Sequence, residues 1–237
     1  MAHLFSSRLG AACTLMLAAM LPAQAEMTEE TARQAAQEVR LLVTEGTGVI
    51  GDLQPAINAS KANPGDVAPD ALVTQFKVRY QKAAGVPFDS KVPGALGDAR
   101  RAYLQAFNSV VTRYQSNLTK GGQDAFVPAF FRAQVLKDFN QLMKGHVQVY
   151  ATNRDNELIN SDWAVQKVMK GSPLAGEVQT LMGKGGLEPV VKRQGNSVMG
   201  YYPMKLGAAC VSCHAQNGLK QTEGGFGGAL VAEVPVR

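Results

Sequence analysis

The chain has 237 residues, 46% of them hydrophobic and 18% charged, with a formal net charge of +5. Its basic residues are scattered, and no basic run is interleaved with aromatics, which argues against a nucleic-acid partner. The length suffices for one well-buried domain, or one domain with a helical extension.

The N-terminus reads as a leader. Met1 to Leu9 carry one positive charge, Arg8, and no acid, and Gly10 to Pro22 is an apolar stretch. Ala23-Gln24-Ala25 then supplies a small-x-small cleavage site, which predicts a signal peptide over residues 1–25, cut after Ala25. The apolar stretch falls short of the roughly 20 residues needed to cross a bilayer. Residues 26–237 are therefore expected to be exported to a bacterial periplasm and not to span a membrane after processing. Their formal charge is +4, from 23 Lys and Arg against 19 Asp and Glu. That mild basicity suits docking to an acidic redox partner, and serves solubility equally well.

Thr28 to Val43 predicts a helix, with Thr28 as its cap and Glu29 and Glu30 in its first turn. Asp52 to Ser60 is a candidate continuation beyond the glycines at 46, 48 and 51. Lys61 to Pro69 reads as a turn-rich break. A second helix begins at Asp70, with Leu72, Val73, Phe76 and Tyr80 at helical spacing. Gly85 to Gly97 reads as a loop. Asp98 to Leu118 is the clearest helix, its stripe made of Tyr103, Leu104, Phe107, Val110, Val111 and Tyr114. Pro128 opens a further helix over Ala129 to Met143. Val147 to Ala151 reads as a short strand, and helical segments are expected through Lys170 and from Pro173 to Met182. Pro189 to Arg193 and Ser197 to Tyr202 read as strands around a Gly195-Asn196 hairpin, and Ala229 to Val236 as a last strand. The expected fold is α+β, with N-terminal helices packed on a small antiparallel sheet. One domain is expected over residues 26–237, mainly helical over 26–120, with the chemistry in 121–237.

Cys13 leaves with the leader, so the mature chain keeps two cysteines, three positions apart, with a histidine directly after. Cys210-Val211-Ser212-Cys213-His214 is the attachment signature of c-type haem. Two thiols at this spacing can add to the two vinyl groups on one porphyrin edge, and the next residue presents an imidazole to the iron as proximal ligand. A redox dithiol would sit near the start of a βαβ unit, whereas this motif lies near the C-terminus, with 23 residues after it, before a Gly-rich segment. A zinc site needs four ligands, and the mature chain offers only one other histidine and no other cysteine. One covalent haem c is the expected cofactor.

The C-terminal third resembles a group of exported bacterial single-haem c-type domains with a PAS-like core, found alone or as sensor segments of membrane signalling proteins. The likeness rests on Tyr201-Tyr202-Pro203-Met204, the haem motif, and Gly227-Gly228-Ala229-Leu230-Val231-Ala232. It extends more weakly through Val127-Pro128-Ala129-Phe130 and Asn153-Arg154-Asp155-Asn156. The resemblance implies a small antiparallel sheet behind helices, with haem at one edge, and redox sensing or electron transfer rather than substrate turnover. Some relatives take a sixth iron ligand from a cysteine in an early helix, and no mature cysteine is present here to do so. No kinase or transmitter segment follows, so a signal would pass to a separate membrane protein. Some PAS-like domains pair through their N-terminal helices, which makes a homodimer a candidate assembly.

His146, Met204 and Met199 are the candidate distal ligands. Arg154, Lys192, Arg193 and Lys205, with the hydroxyls of Tyr201 and Tyr202, are candidate partners of the haem propionates. For each, an ordinary packed or surface role competes with the functional one. Three functions are open: an electron carrier with saturated iron, a redox or gas sensor acting on a membrane partner, and a peroxidase or reductase. The last wants an open iron beside a distal proton-moving group, a role only His146 could fill as an imidazole. Electron transfer is the leading expectation.

Overall fold

The structure, a computed structural model, describes residues 27–59, 61–119, 127–152, 188–208, 210–211, 215, 220 and 222–236. They form four helices, α1 (Glu29–Asn58), α2 (Pro69–Ala84), α3 (Gly94–Leu118) and α4 (Pro128–Leu142). Four strands follow, β1 (Gln148–Thr152), β2 (Val190–Gln194), β3 (Ser197–Lys205) and β4 (Phe226–Pro235), in one antiparallel sheet of order β1-β4-β3-β2. The fold is α+β. Among the described residues, no helix is long and apolar enough to cross a membrane. The helical segments expected between residues 160 and 182 lie outside the described residues.

α1 starts as its sequence reads, with the Thr28 hydroxyl accepting from the Thr31 N–H at 3.2 Å and two acids in the first turn. It differs from expectation in running unbroken for 30 residues through Gly46, Gly48 and Gly51. The reason is tertiary. A Cβ at Gly46 would collide with the Tyr103 ring of α3, and one at Gly48 with the Arg79 guanidinium of α2. These glycines let neighbouring helices approach, and that packing offsets their poor helix propensity of about 1 kcal/mol each. Pro55 lies in the last turn and removes the N–H that would pair with the Gly51 carbonyl. α3 begins at Gly94, four residues before the predicted start, and kinks at Tyr114 (φ −110°, ψ 15°).

The helices share an aromatic core. Phe76 stacks on Phe107 at 5.3 Å between ring centres and meets Phe88 edge-on at the same distance, while Phe107 meets Phe131 edge-on. A buried polar knot ties three helices beside it. Arg100 of α3 grips Glu38 of α1 through Nε to Oε1 at 2.8 Å and Nη2 to Oε2 at 3.2 Å. The Tyr80 hydroxyl of α2 donates to Glu38 at 2.8 Å and accepts from Arg100 at 2.6 Å. Arg100 also donates to the Asp89 carbonyl at 3.1 Å.

The sheet divides by alternation. Val198 and Tyr202 of β3, with Leu230, Ala232 and Val234 of β4, join the helical core. Met199, Tyr201, Ala229 and Val231 form a separate buried cluster on the other face. Edge strand β1 is held by Asn140 of α4. Its side chain donates to the Val149 carbonyl at 2.7 Å and accepts from the Val149 N–H at 2.8 Å, as a neighbouring strand would.

Candidate functional site

Where α1, the start of α4 and the end of β3 meet, they enclose a cavity of about 580 Å³. This lies within the roughly 300–1,000 Å³ typical of small-molecule and cofactor sites. α1 contributes Arg40, Val43, Thr44, Thr47, Gly48, Gly51 and Gln54, and α2 contributes Arg79. Val127, Pro128, Ala129 and Arg132 come from the start of α4. Tyr202 to Lys205, Gly207, Cys210 and Leu230 complete the wall from the sheet side. Alternation along β3 selects Tyr202 for this wall and turns Tyr201 away from it.

The wall is apolar in its greater part, and several of its residues enclose a polar atom without a hydrogen-bond partner. Five enclosed side-chain atoms have no hydrogen-bond partner among the described residues: Thr47 Oγ1, Gln54 Oε1, Arg79 Nε, Arg132 Nε and the Tyr202 hydroxyl. All five residues line this cavity. Arg79 Nε keeps an ion pair with Glu45 at 3.2 Å without the alignment of a hydrogen bond, and Arg79 also pairs with Asp52. Buried polar groups are ordinarily satisfied, so such a concentration marks the cavity as chemically unfinished.

Three arginines face that space. Arg40 lies over the Tyr202 ring, 5.7 Å from its centre. Burial pushes the Tyr202 phenol up to about 12, against the opposing pull of Arg40 and Arg33. Arg132 donates from Nη1 to the Met204 sulfur at 3.1 Å. Burial lowers its guanidinium to about 10, while Cys210 and Tyr103 act the other way. It therefore stays a cation at neutral pH.

Cys210 lines the cavity and is exposed, with a free thiol. The backbone is helical at Ala208, Cys210 and Val211, and the Val211 N–H donates to the Gly207 carbonyl at 3.1 Å. The segment is clasped at its base: the Leu206 N–H donates to the Gly225 carbonyl and the Gly224 N–H to the Leu206 carbonyl, both at 2.9 Å. Gly224 takes φ 77°, a left-handed conformation that glycine adopts without strain. Cys213 and His214 lie outside the described residues, as do Arg154 and the Asn153-Arg154-Asp155-Asn156 segment.

Of the three candidate distal ligands, Met204 lines the cavity. His146 is exposed in the turn after α4, its N–H bonded to the Met143 carbonyl at 2.9 Å, and is not part of the cavity wall. Met199 and Tyr201 belong to the opposite face of the sheet. Lys205 joins the wall at the end of β3. Lys192 and Arg193 are exposed on β2, where Arg193 bonds the Gly195 carbonyl and reaches Glu29 at 3.7 Å. Sequence reading missed Arg132, Arg40, Arg79, Thr47 and Gln54, which come from elements far from the motif in the chain. One signal was available for Arg132: a cation in the first turns of a helix otherwise dominated by Phe131, Ala133, Val135 and Leu136.

Comparison with protein-family models, curated proteins and solved structures returned no match.

Proposed function

We propose that this chain is an exported, periplasmic monohaem c-type cytochrome that acts in electron transfer. The observation that carries the reading is that Cys210, the first thiol of the attachment motif, lines a cavity of cofactor size. The wall fits the group. Val43, Val127, Pro128 and Leu230 supply apolar surface suited to a porphyrin, and Cys210 stands exposed at the rim for a thioether bond. Cys213 would hold the second thioether and His214 the proximal position on iron. Haem held there supplies one-electron exchange at iron.

This chain's residues shape that exchange. The apolar wall excludes water and lowers the local dielectric, which strengthens the influence of nearby charges on the cofactor. On the cavity side, α1 presents Arg40, Val43, Thr44, Thr47, Gly48, Gly51 and Gln54, none of them a thiol or imidazole, and Met204 supplies the one thioether among the described wall residues. The small antiparallel sheet with helices on one face supports a PAS-like core.

The deciding experiment is an absorption spectrum of the chain matured in cells that attach c-type haem, oxidised and reduced, with and without carbon monoxide. A c-type α band on reduction that carbon monoxide leaves unchanged is expected. Haem should stay with the chain on a denaturing gel and be lost in the C210A/C213A variant. A chain without any haem band overturns the reading, and a ready response to carbon monoxide moves the function to sensing.

A further inference from the structure

Among the described residues, the cavity wall holds more positive charge than acids pair with it. Arg79 is matched by Glu45 and Asp52. Arg132 is not: among the described residues its one hydrogen-bond partner is the Met204 sulfur, and no carboxylate pairs with it. A guanidinium offers five N–H donors in a planar fork that matches the two oxygens of a carboxylate, whereas a thioether is a weak acceptor. A cation held this way, with Nε enclosed and unpartnered, is configured for an anion that no other described residue supplies.

Two further observations point to the same kind of ligand. α4 opens onto the cavity through Val127, Pro128 and Ala129, and its 15 residues begin with no side-chain cap and no acid in the first turn. Among the described residues, no acid or cap compensates the positive end of its dipole at the cavity. Thr47 and Tyr202 also bring enclosed hydroxyls without partners to the same wall, and each can donate to an oxyanion.

We infer that the cavity is a carboxylate-binding site, with Arg132 as its anchoring cation and the Tyr202 and Thr47 hydroxyls as supporting donors. On the haem reading, which this inference deepens, the carboxylate is a haem propionate. A free aliphatic carboxylate is the other source of the same chemistry. Arg132 then acts on the cofactor through charge, by compensating the propionate beside it.

The test compares the full wild-type chain, R132Q and R132K, all matured in haem-attaching cells, by redox titration and by melting with and without succinate. In the haem-bearing protein, R132Q removes a positive charge beside an ionised propionate, so its midpoint potential falls. R132K keeps the charge and recovers most of that fall, which a purely structural role would not produce. Succinate leaves the melting of the haem-bearing wild type unchanged, because the site is filled. If the chain emerges without haem, the haem reading fails on its own, and the carboxylate site is then read directly. Succinate should raise the melting temperature of the wild type and leave R132Q unmoved. An unchanged potential in haem-bearing R132Q, or no succinate response in a haem-free wild type, overturns the inference. Should R132Q fail to accumulate, Y202F carries the test, with a smaller fall in potential or a weaker succinate response expected and no change refuting it.

Discussion

Replacing Glu38 by Gln tests the buried knot that ties α1, α2 and α3. Glu38 and Arg100 are about nine-tenths buried (side-chain exposures of 9% and 10%), so solvent screens little of their interaction. E38Q nearly preserves shape but leaves the Arg100 charge uncompensated, which costs about 3–5 kcal/mol in such settings. For a domain of this size each kcal/mol lowers the melting temperature by about 2–4 °C, so a drop of roughly 6–20 °C is expected. Tyr80→Phe removes one hydroxyl that bonds both charged partners, at about 1.5–3 kcal/mol. The E38L/R100L double variant should cost far less than the sum of its singles, because it removes both charges together. Urea denaturation followed by circular dichroism reads all of these, with an unchanged m-value showing that the unfolded state is the same. A cost for E38Q below about 1 kcal/mol, or an additive double variant, would refute the reasoning.

Three other outcomes are expected. Gly97→Ala drives its Cβ into the Val92 backbone carbonyl, which cannot rotate away, so a loss of about 1–3 kcal/mol should appear in the same denaturation assay. Asn140→Ala removes both bonds to Val149 and frees edge strand β1, at about 1–3 kcal/mol; faster amide exchange at Val149 would report it. Stability should also fall in alkali. Burial raises the phenols of Tyr80, Tyr103, Tyr201 and Tyr202, the last two to about 12, whereas an unfolded phenol ionises near about 10. Above that pH the unfolded chain binds fewer protons, so the tyrosine contribution is intact below about pH 10 and drains away toward pH 12. Arg132, lowered to about 10, works in the opposite direction, but one group stands against four. A urea midpoint that holds constant from about pH 9 to 11 would contradict this balance.

The apolar stripes of α2 and α3 were legible because burial on one helix face leaves a 3.6-residue period, and Tyr103, Phe107 and Val110 are buried as that period requires. The continuity of α1 was not, because Gly46 and Gly48 are explained by Tyr103 and Arg79, which arrive from other helices. Strand alternation had more to offer than was taken from it. Tyr201 and Tyr202 stand side by side in sequence, so a period of two places only one of them on any given face. The same parity separates Met199 from Tyr202. Cys210 announced itself through spacing alone, whereas Arg132, Thr47 and Gln54 meet only after α1 and α4 pack, and no local pattern marks that meeting.

The clasp between Leu206 and the Gly224-Gly225 pair makes the segment between them a cassette. Its two ends leave and rejoin the sheet at one point, between β3 and β4, so the strands pair without reference to what lies within the insert. Lengthening such a loop costs only about 0.6 kcal/mol per doubling. Evolution, or an engineer, can therefore change the length of the span outside the attachment motif while the scaffold keeps its register, provided the hinge residues stay. At Gly227 that hinge packs closely: a Cβ there would lie 2.7 Å from the Leu206 side chain, which would have to shift. Outside the attachment motif, the insert can thus change in length while the seam between Leu206 and Gly224-Gly225 keeps its bonds.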